Sequence, residues 1–438
     1  LMEEFEEYEK MTPASKRLHE KSKRLFPGGV SHNIRFFRPH PFFTSKAQGA
    51  YLWDEDGNKY IDFWMGHMAC ILGHAHPVVV KAIKEILPFG IHWGTVNKIA
   101  LKLAETVNSL VPCAQMVRFC NSGTEATMYA TRIARAFTER NKVLKMEGGW
   151  HGGNTDLMMG VGPPYNKPDT IGLPYKISDC IKLAPFNDIQ NTMEILRSVK
   201  DELACVIVEP VLGAGGIIPA DKEYLKMLRE MTRDCGALLI FDEVITGFRL
   251  GLGGAQQHYN IAPDMATLGK ILGGGAPIGA VVGKTKIMKI VSPVERENGK
   301  VWIGGGTFSM NPLTMSAGLA TLNFLKANPD IYHRIGKLGE EVRQELDKIF
   351  ANHGMMARTT GIKSLFLIHF LKKHIELKNP RQYQDFVDRE REGKYYHSLL
   401  KHGIFFLPGH SGSISYAHSE EEIKMLLETT KKVAEEIT

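Results

Sequence analysis

Ala237-Leu238-Leu239-Ile240-Phe241-Asp242-Glu243 is the stretch on which the reading of this chain turns, together with Met265-Ala266-Thr267-Leu268-Gly269-Lys270 and the Gly273-Gly274-Gly275 that follows. The first is an apolar run closed by carboxylates, as expected of a strand buried on both faces of a parallel sheet. The second is a short strand ending in a lysine on a glycine-rich turn. Ligand sites in such sheets gather beyond the carboxyl ends of the strands, which is where Asp242 and Lys270 fall. A lysine amine there can form an imine with an aldehyde, and an aspartate can hold a ring nitrogen protonated so that the ring accepts electrons. Singly, a lysine is more often a solvated charge and a strand-end aspartate a turn cap. Their order, spacing and matching contexts bring them into one chemistry.

Outward from this pair, strands and helices alternate from about residue 66 to 325. Strands are expected over 116–120, 142–146, 205–209, 237–242, 265–268 and 279–283, and helices over 125–138 and 222–235. Alternation of this kind implies an α/β fold with a mostly parallel sheet flanked by helices. Before it, residues 13–30 read as helical and end at Phe26-Pro27-Gly28-Gly29. Tyr51-Leu52-Trp53-Asp54 and Lys59-Tyr60-Ile61-Asp62-Phe63 then flank an Asp56-Gly57 turn, a hairpin signal. The last hundred or so residues carry a long helix (331–350), a strand (364–370), a charged helix (383–402), a short strand (404–407) and a closing helix from Glu420, an α+β pattern. The expected domains are an N-terminal segment (1–65), a large domain (66–325) and a C-terminal α+β domain (326–438), the first and last combining into a smaller unit.

The 438 residues suffice for a sizeable core, and a net charge of +6 is mild for that length. No basic block implies nucleic acid. No apolar run has the length of a membrane span, and the N-terminus lacks a secretory pattern. Six scattered cysteines without a C-x-x-C pair argue for free thiols in a reducing, cytoplasmic setting and against a zinc site. His74-Ala75-His76 invites a metal reading, but Gly73 and Pro77 flank it and an apolar helical pattern follows, so a helix start is expected and no metal.

Asn121-Ser122-Gly123-Thr124-Glu125-Ala126 follows a strand and opens a helix. Ser122, Gly123 and Thr124 there offer backbone N–H groups, two hydroxyls and the positive end of a helix dipole, a setting for phosphate. An ordinary cap, with Ser122 capping and Glu125 completing the box, is the alternative. Gly148-Gly149-Trp150-His151-Gly152-Gly153 follows the next strand, and Trp150 can lie on a planar ring or simply pack a loop. Gly304-Gly305-Gly306-Thr307 is a weaker glycine signal. Neither a dinucleotide fingerprint nor a nucleotide P-loop is present. An aldehyde, a ring nitrogen and a phosphate each have a candidate partner, and pyridoxal phosphate carries all three.

These motifs resemble the class III (fold type I) pyridoxal-phosphate aminotransferases, and within them the glutamate-1-semialdehyde 2,1-aminomutases. The matching stretches run from Phe26-Pro27-Gly28-Gly29-Val30 through Glu209-Pro210-Val211, Phe241-Asp242-Glu243-Val244, Thr246-Gly247-Phe248-Arg249, Leu268–Gly275 and Gly306–Ser309 to Ala417-His418. The resemblance implies a homodimer with shared active sites, cycling through the pyridoxamine form of the cofactor and converting glutamate-1-semialdehyde to 5-aminolevulinate. Lys270 would carry the cofactor and shuttle the proton, and Asp242 would pair with the pyridine nitrogen. Ser122, Gly123 and Thr124 would hold the phosphate, joined by Thr307 of a neighbouring subunit. Trp150 and Val244 would cover the two ring faces, with His151 and Glu209 beside them. Arg35 would hold the substrate carboxylate, with His32 nearby.

Departures from the aminomutase pattern lie in substrate-facing or gating regions. His32 replaces a small residue, Ala214-Gly215-Gly216 replaces an Asn-Met-Gly segment, and Gly409-His410-Ser411-Gly412 stands where a glutamate-bearing run is usual. Pro163–Pro168 also differs. They favour the other reaction expected on this scaffold, transfer from an ω- or β-amino acid to a 2-oxo acid, or a racemisation.

Overall fold

The computed structural model describes residues 2–174, 176–294 and 301–437. The chain divides into two compact units. The larger comprises Pro77–Tyr332 and Glu376–Asp385; the smaller comprises the segment up to His76, His333–Ile375, and the segment from Phe386 onward.

The larger unit is built on seven strands: β1 (Met116–Cys120), β2 (Lys142–Met146), β3 (Ile181–Ala184), β4 (Leu203–Val208), β5 (Leu238–Asp242), β6 (Met265–Gly269) and β7 (Gly279–Gly283). Their order across the sheet is β1-β7-β6-β5-β4-β2-β3. β7 runs antiparallel to both neighbours, and the other adjacent pairs are parallel. β4, β5 and β6 are buried along their whole length, which explains their continuous apolar sequence. Helix α1 (Gly123–Thr138) sets Ala126, Ala130, Ile133 and Ala134 on one face, the i, i+4, i+7, i+8 stripe of a helix lying on a core. It packs there with Val143, Ile207, Ile240 and Val281 from four of the strands. β7 approaches the start of α1 so closely that a Cβ on Gly279 would lie 2.0 Å from the Ser122 carbonyl oxygen. Only glycine fits there.

The short edge strand β3 was not among the expected strands. Its four residues Ile181-Lys182-Leu183-Ala184 are too few for periodicity to identify. The helix expected over 13–30 stops at Ser22 and gives way to a tight turn at Pro27–Gly29, where Gly28 has φ +66°. The charged helix expected over 383–402 is two helices, Pro380–Tyr383 and Arg389–Lys401. Asp388 starts the second by accepting the Arg391 N–H, a cap that restarts a helix.

In the smaller unit, Tyr51–Asp54 and Lys59–Asp62 form the expected antiparallel hairpin. Asp54 locks it, taking the Tyr60 hydroxyl at 2.8 Å and the Asn58 N–H at 2.8 Å. Ile404–Phe405 adds in parallel to Lys59–Asp62, tying the C-terminal segment to the N-terminal one. His74 is not only part of a helix start: its Nε2 lies 2.7 Å from Asp62 Oδ2. Burial opposes the charge on His74, but Asp62 and Cys70 outweigh it and raise the imidazole to about 10. Among the described residues no helix is long and apolar enough to cross a membrane.

His418 is fully buried, stacked on Phe63 at 4.7 Å between ring centroids, and its Nδ1 accepts the Ser415 N–H at 3.0 Å. Burial pushes this imidazole down to about 4. The unfolded chain binds its proton near pH 6.5, so protons favour unfolding between those values. His418's own contribution to stability should therefore fall by on the order of 3 kcal/mol from pH 6.5 towards 4. Thermal unfolding midpoints against pH should show this slope, and His418→Gln should flatten it. An unchanged slope would mean that the acid sensitivity lies elsewhere.

Candidate active site

Asp242 is the last residue of β5, and Thr267 faces it in register on β6. A carboxylate in this position is 4% exposed, so each oxygen needs donors. Oδ1 accepts the Thr267 hydroxyl at 2.8 Å and the Val244 N–H at 3.1 Å. Oδ2 lies 2.7 Å from His151 Nδ1. An ionised carboxylate only accepts, so the imidazole carries a proton on Nδ1. Burial lowers the pKa of His151, with Asp242 opposing and Lys145 assisting, which favours the neutral ring. Its buried Nε2 has no hydrogen-bond partner and is left as an acceptor.

The neighbouring Glu243 points elsewhere, as alternation along a strand requires. It accepts from the Thr246 hydroxyl and from the Ala255 and Gln256 N–H groups, and so organises the loop after β5. Glu209 follows β4 and receives the Trp150 N–H at 2.9 Å on one oxygen and the Gly213 N–H at 3.2 Å on the other. Burial and then the Asp242 charge push its carboxyl up to about 8.

Lys270 begins the short turn Lys270–Gly273 that follows β6. Its φ is +46°, a left-handed conformation that is strained for a lysine and is concentrated at functional sites. Burial pushes its ammonium below the ordinary value, Arg249 adds to that, and Asp242 and Glu209 pull the other way. Lowering an amine's pKa frees its lone pair for attack on a carbonyl.

At the start of α1 the cap is realised but not the box: Ser122 Oγ accepts the Glu125 N–H at 3.1 Å, whereas Glu125 accepts the N–H of Asn121, one residue before the cap, at 2.6 Å. The cap does not exclude an anion, because the first N–H groups of a helix have no carbonyl partner within it. Two glycines keep this space open. A Cβ on Gly123 would press on Val244 at 3.0 Å, and one on Gly152 would strike Thr124 Oγ1 at 2.2 Å. Trp150 is 40% exposed. Thr307 is also exposed, beyond Gly306, whose Cβ would meet Asn121 at 2.0 Å.

The larger unit thus brings Lys270, Asp242, His151, Glu209, Trp150, Val244 and the Ser122–Thr124 turn to one end of its sheet. His32 and Arg35 belong to the smaller unit, at an exposed turn (Asn33–Arg35). His32 Nδ1 lies 3.3 Å from His67 Nε2. Arg35 lines a cavity of about 530 Å³ with Asp62, Trp64, His67 and His74. Sequence reasoning missed Thr267 and Lys145. Thr267 carries no signal of its own, since the register of β6 against β5 is set only by folding, and Lys145 shares β2 with Lys142, so its charge alone does not mark it.

The family model described as Aminotransferase class-III matches residues 36–432. A glutamate-1-semialdehyde 2,1-aminomutase of Methanosarcina acetivorans is 41% identical over 421 residues, covering 94% of this chain and 96% of its own. Among solved structures, an omega-transaminase from Sphaerobacter thermophilus superposes with a TM-score of 0.90 at 33% identity, covering 97% of this chain and 98% of its own. A beta-phenylalanine aminotransferase from Variovorax paradoxus gives 0.90 at 31%, covering 98% and 96%.

Because Thr267 is fully buried and valine has the same shape, Thr267→Val should remove one hydrogen bond to Asp242 and little else. A loss of about 1.5–3 kcal/mol is expected for a bond to a charged group, read from urea midpoints at constant m-value. A variant as stable as the parent would show that the carboxylate does not depend on this hydroxyl.

Proposed function

The chain belongs to the class III aminotransferase family and is a pyridoxal-phosphate-dependent enzyme, and we propose from this that it converts glutamate-1-semialdehyde to 5-aminolevulinate. The observation that carries the reaction is the likeness along 94% of the chain to a relative bearing that activity in its name. The residues at the carboxyl end of the sheet suit the cofactor: a buried amine, a buried ring acceptor on His151, and a helix start kept open by Gly123 and Gly152. Bound pyridoxal phosphate supplies an aldehyde for an amine and a ring that withdraws electrons from the substrate carbon.

The protein's own groups do the rest. Lys270 would hold the cofactor aldehyde through its amine and, once displaced from it by the substrate's amine, would carry the proton to and from the reacting carbon, a role favoured by its depressed pKa. Asp242, kept in place by His151 and Thr267, holds a proton on the ring nitrogen. Ser122, Gly123 and Thr124 would hold the phosphate through backbone N–H groups and hydroxyls, the Ser122 oxygen also fixing the helix start. Trp150 and Val244 would flank the ring, and Glu209 holds the Trp150 backbone. Arg35 grips the substrate carboxylate with a bidentate fork, with His32 beside it on the same turn.

The working form is a homodimer in which Thr307 reaches the partner's phosphate site. In support, Phe89, Val96, Trp302 and Phe308 are large apolar side chains exposed by 72%, 86%, 65% and 59%, surface that a partner subunit would cover. The free thiols fit a reducing cytoplasm. A second reading, transfer from an ω- or β-amino acid to a 2-oxo acid, is favoured by His410 replacing the usual glutamate and by likeness to the two transaminases.

Borohydride treatment of the loaded enzyme should fix the cofactor to the Lys270 peptide, and Lys270→Ala should abolish the adduct while the protein stays folded. The loaded enzyme without borohydride, given glutamate-1-semialdehyde, should form 5-aminolevulinate. Amino transfer between amino acid and 2-oxo acid pairs, with no 5-aminolevulinate, would establish the second reading instead.

Dimer sharing is checked by co-expressing Lys270→Ala with Thr307→Asp, each inactive alone. Activity should return in mixed dimers, where one site combines the intact Lys270 of one chain with the intact Thr307 of the other. Mixed dimers that remain inactive would place Thr307 in its own subunit's site and refute the sharing, and a Thr307→Asp chain active by itself would place Thr307 outside the site.

A further inference from the structure

Lys145 sits on β2 with no exposed surface. An ammonium removed from water is costly unless every donor is used. Its Nζ donates to the carbonyls of Gly149 at 2.9 Å, Leu157 at 3.0 Å and Met159 at 2.7 Å. Three acceptors match the three N–H donors of an ammonium; a neutral amine has only two. The geometry therefore selects the charged form, against burial, which pushes the group down to about 8 while Asp169 and Glu209 raise it.

All three carbonyls belong to the segment between β2 and β3 that carries Trp150 and His151. Its regular support as far as Met159 is sparse: the short turn Thr155–Leu157, the Gly148 N–H on the Gly160 carbonyl at 2.7 Å and the bridge between Met159 and Pro168. Gly149 lies at its start and Leu157 and Met159 at its end, so a single charge pins both. Between these points the segment meets the site: Trp150 N–H on Glu209, His151 Nδ1 on Asp242, and Gly153 N–H on Thr124 Oγ1. The Thr127 hydroxyl adds a tie to the His151 carbonyl at 2.6 Å.

We propose that Lys145 is a positioning residue: its ammonium fastens both ends of the 147–159 segment to β2 and so sets Trp150 and His151 in place against Asp242. This rests on the reading above that Trp150 and His151 face the cofactor. The Lys145 charge also disfavours a second proton on His151, leaving one proton, on Nδ1, for Asp242.

The full-length protein with Lys145→Met, of similar length but without donors, tests this in two arms. In the cofactor-free protein, amides of 147–160 should exchange hydrogen roughly tenfold faster than in the parent, while peptides from β5 and α1 keep their rates. Unchanged exchange, or uniform acceleration everywhere, would overturn the proposal. In the loaded enzyme, borohydride should still fix the cofactor to Lys270. Turnover should fall roughly 10- to 100-fold with little change in KM, as misplacement at a reacting centre requires, and the pH dependence of the bound cofactor's absorbance should shift. A loosened segment with parental turnover and absorbance would overturn the link to the site. Lys145→Gln, which keeps two N–H donors, should fall between parent and Met in both arms, and it carries the comparison if Lys145→Met does not fold. Insolubility of both variants would make Lys145 a requirement of the whole fold and overturn the assignment. Failure of the parent to bind pyridoxal phosphate would sink the functional reading while the cofactor-free arm still decides the positioning role.

Discussion

A carboxylate buried at the end of a central strand can persist only if the surrounding chain supplies donors to both of its oxygens. Asp242 imposes that demand here. It is met by Thr267 on the adjacent strand, by the Val244 backbone just beyond the strand, and by His151 from the segment after β2. Two parts of the chain distant from it in sequence, at Thr267 and His151, are thereby held at hydrogen-bond length to one side chain. The strand order makes this possible, since β5 lies beside β6 and one strand removed from β2.

The electrostatics follow from the same burial. Lys270, Glu209 and Asp242 share a region poor in water, where each charge is felt strongly by the others. Burial lowers the amine and raises the Glu209 carboxyl. Perturbed groups of opposite type at one end of a sheet are the conditions under which proton transfer near neutral pH becomes feasible. Arg249, almost wholly buried, adds positive potential at Lys270 and so opposes its protonation.

Close backbone approach is the second constraint. Gly279 lets β7 touch the β1–α1 turn, and Gly306 lies against Asn121 at the same turn. Gly123 and Gly152 leave room on the other side of the first helical residues. The helix start is capped internally by Ser122, and Glu125 holds the Asn121 N–H before it, so its free N–H groups are held by a rigid element and not by a loop. Rigid support of this kind keeps an anion site at fixed geometry.

The alternating architecture, six of the seven strands of the large sheet, the hairpin around Asp56-Gly57, and the prominence of Asp242 and Lys270 were legible in the sequence. These properties are local: apolar periodicity, turn residues and the chemical type of a strand-end side chain are all written along contiguous residues. What lay beyond the sequence depended on contacts between distant segments. That Thr267 bonds Asp242 follows from the register of β5 against β6. That His74 pairs with Asp62 instead of serving only as a helix start, and that residues 376–385 cluster with the larger unit, follows from how the chain folds back. Lys145 reads as a solvated lysine until three carbonyls close around it, because the partners of a buried charge are chosen by packing and not by neighbours in sequence.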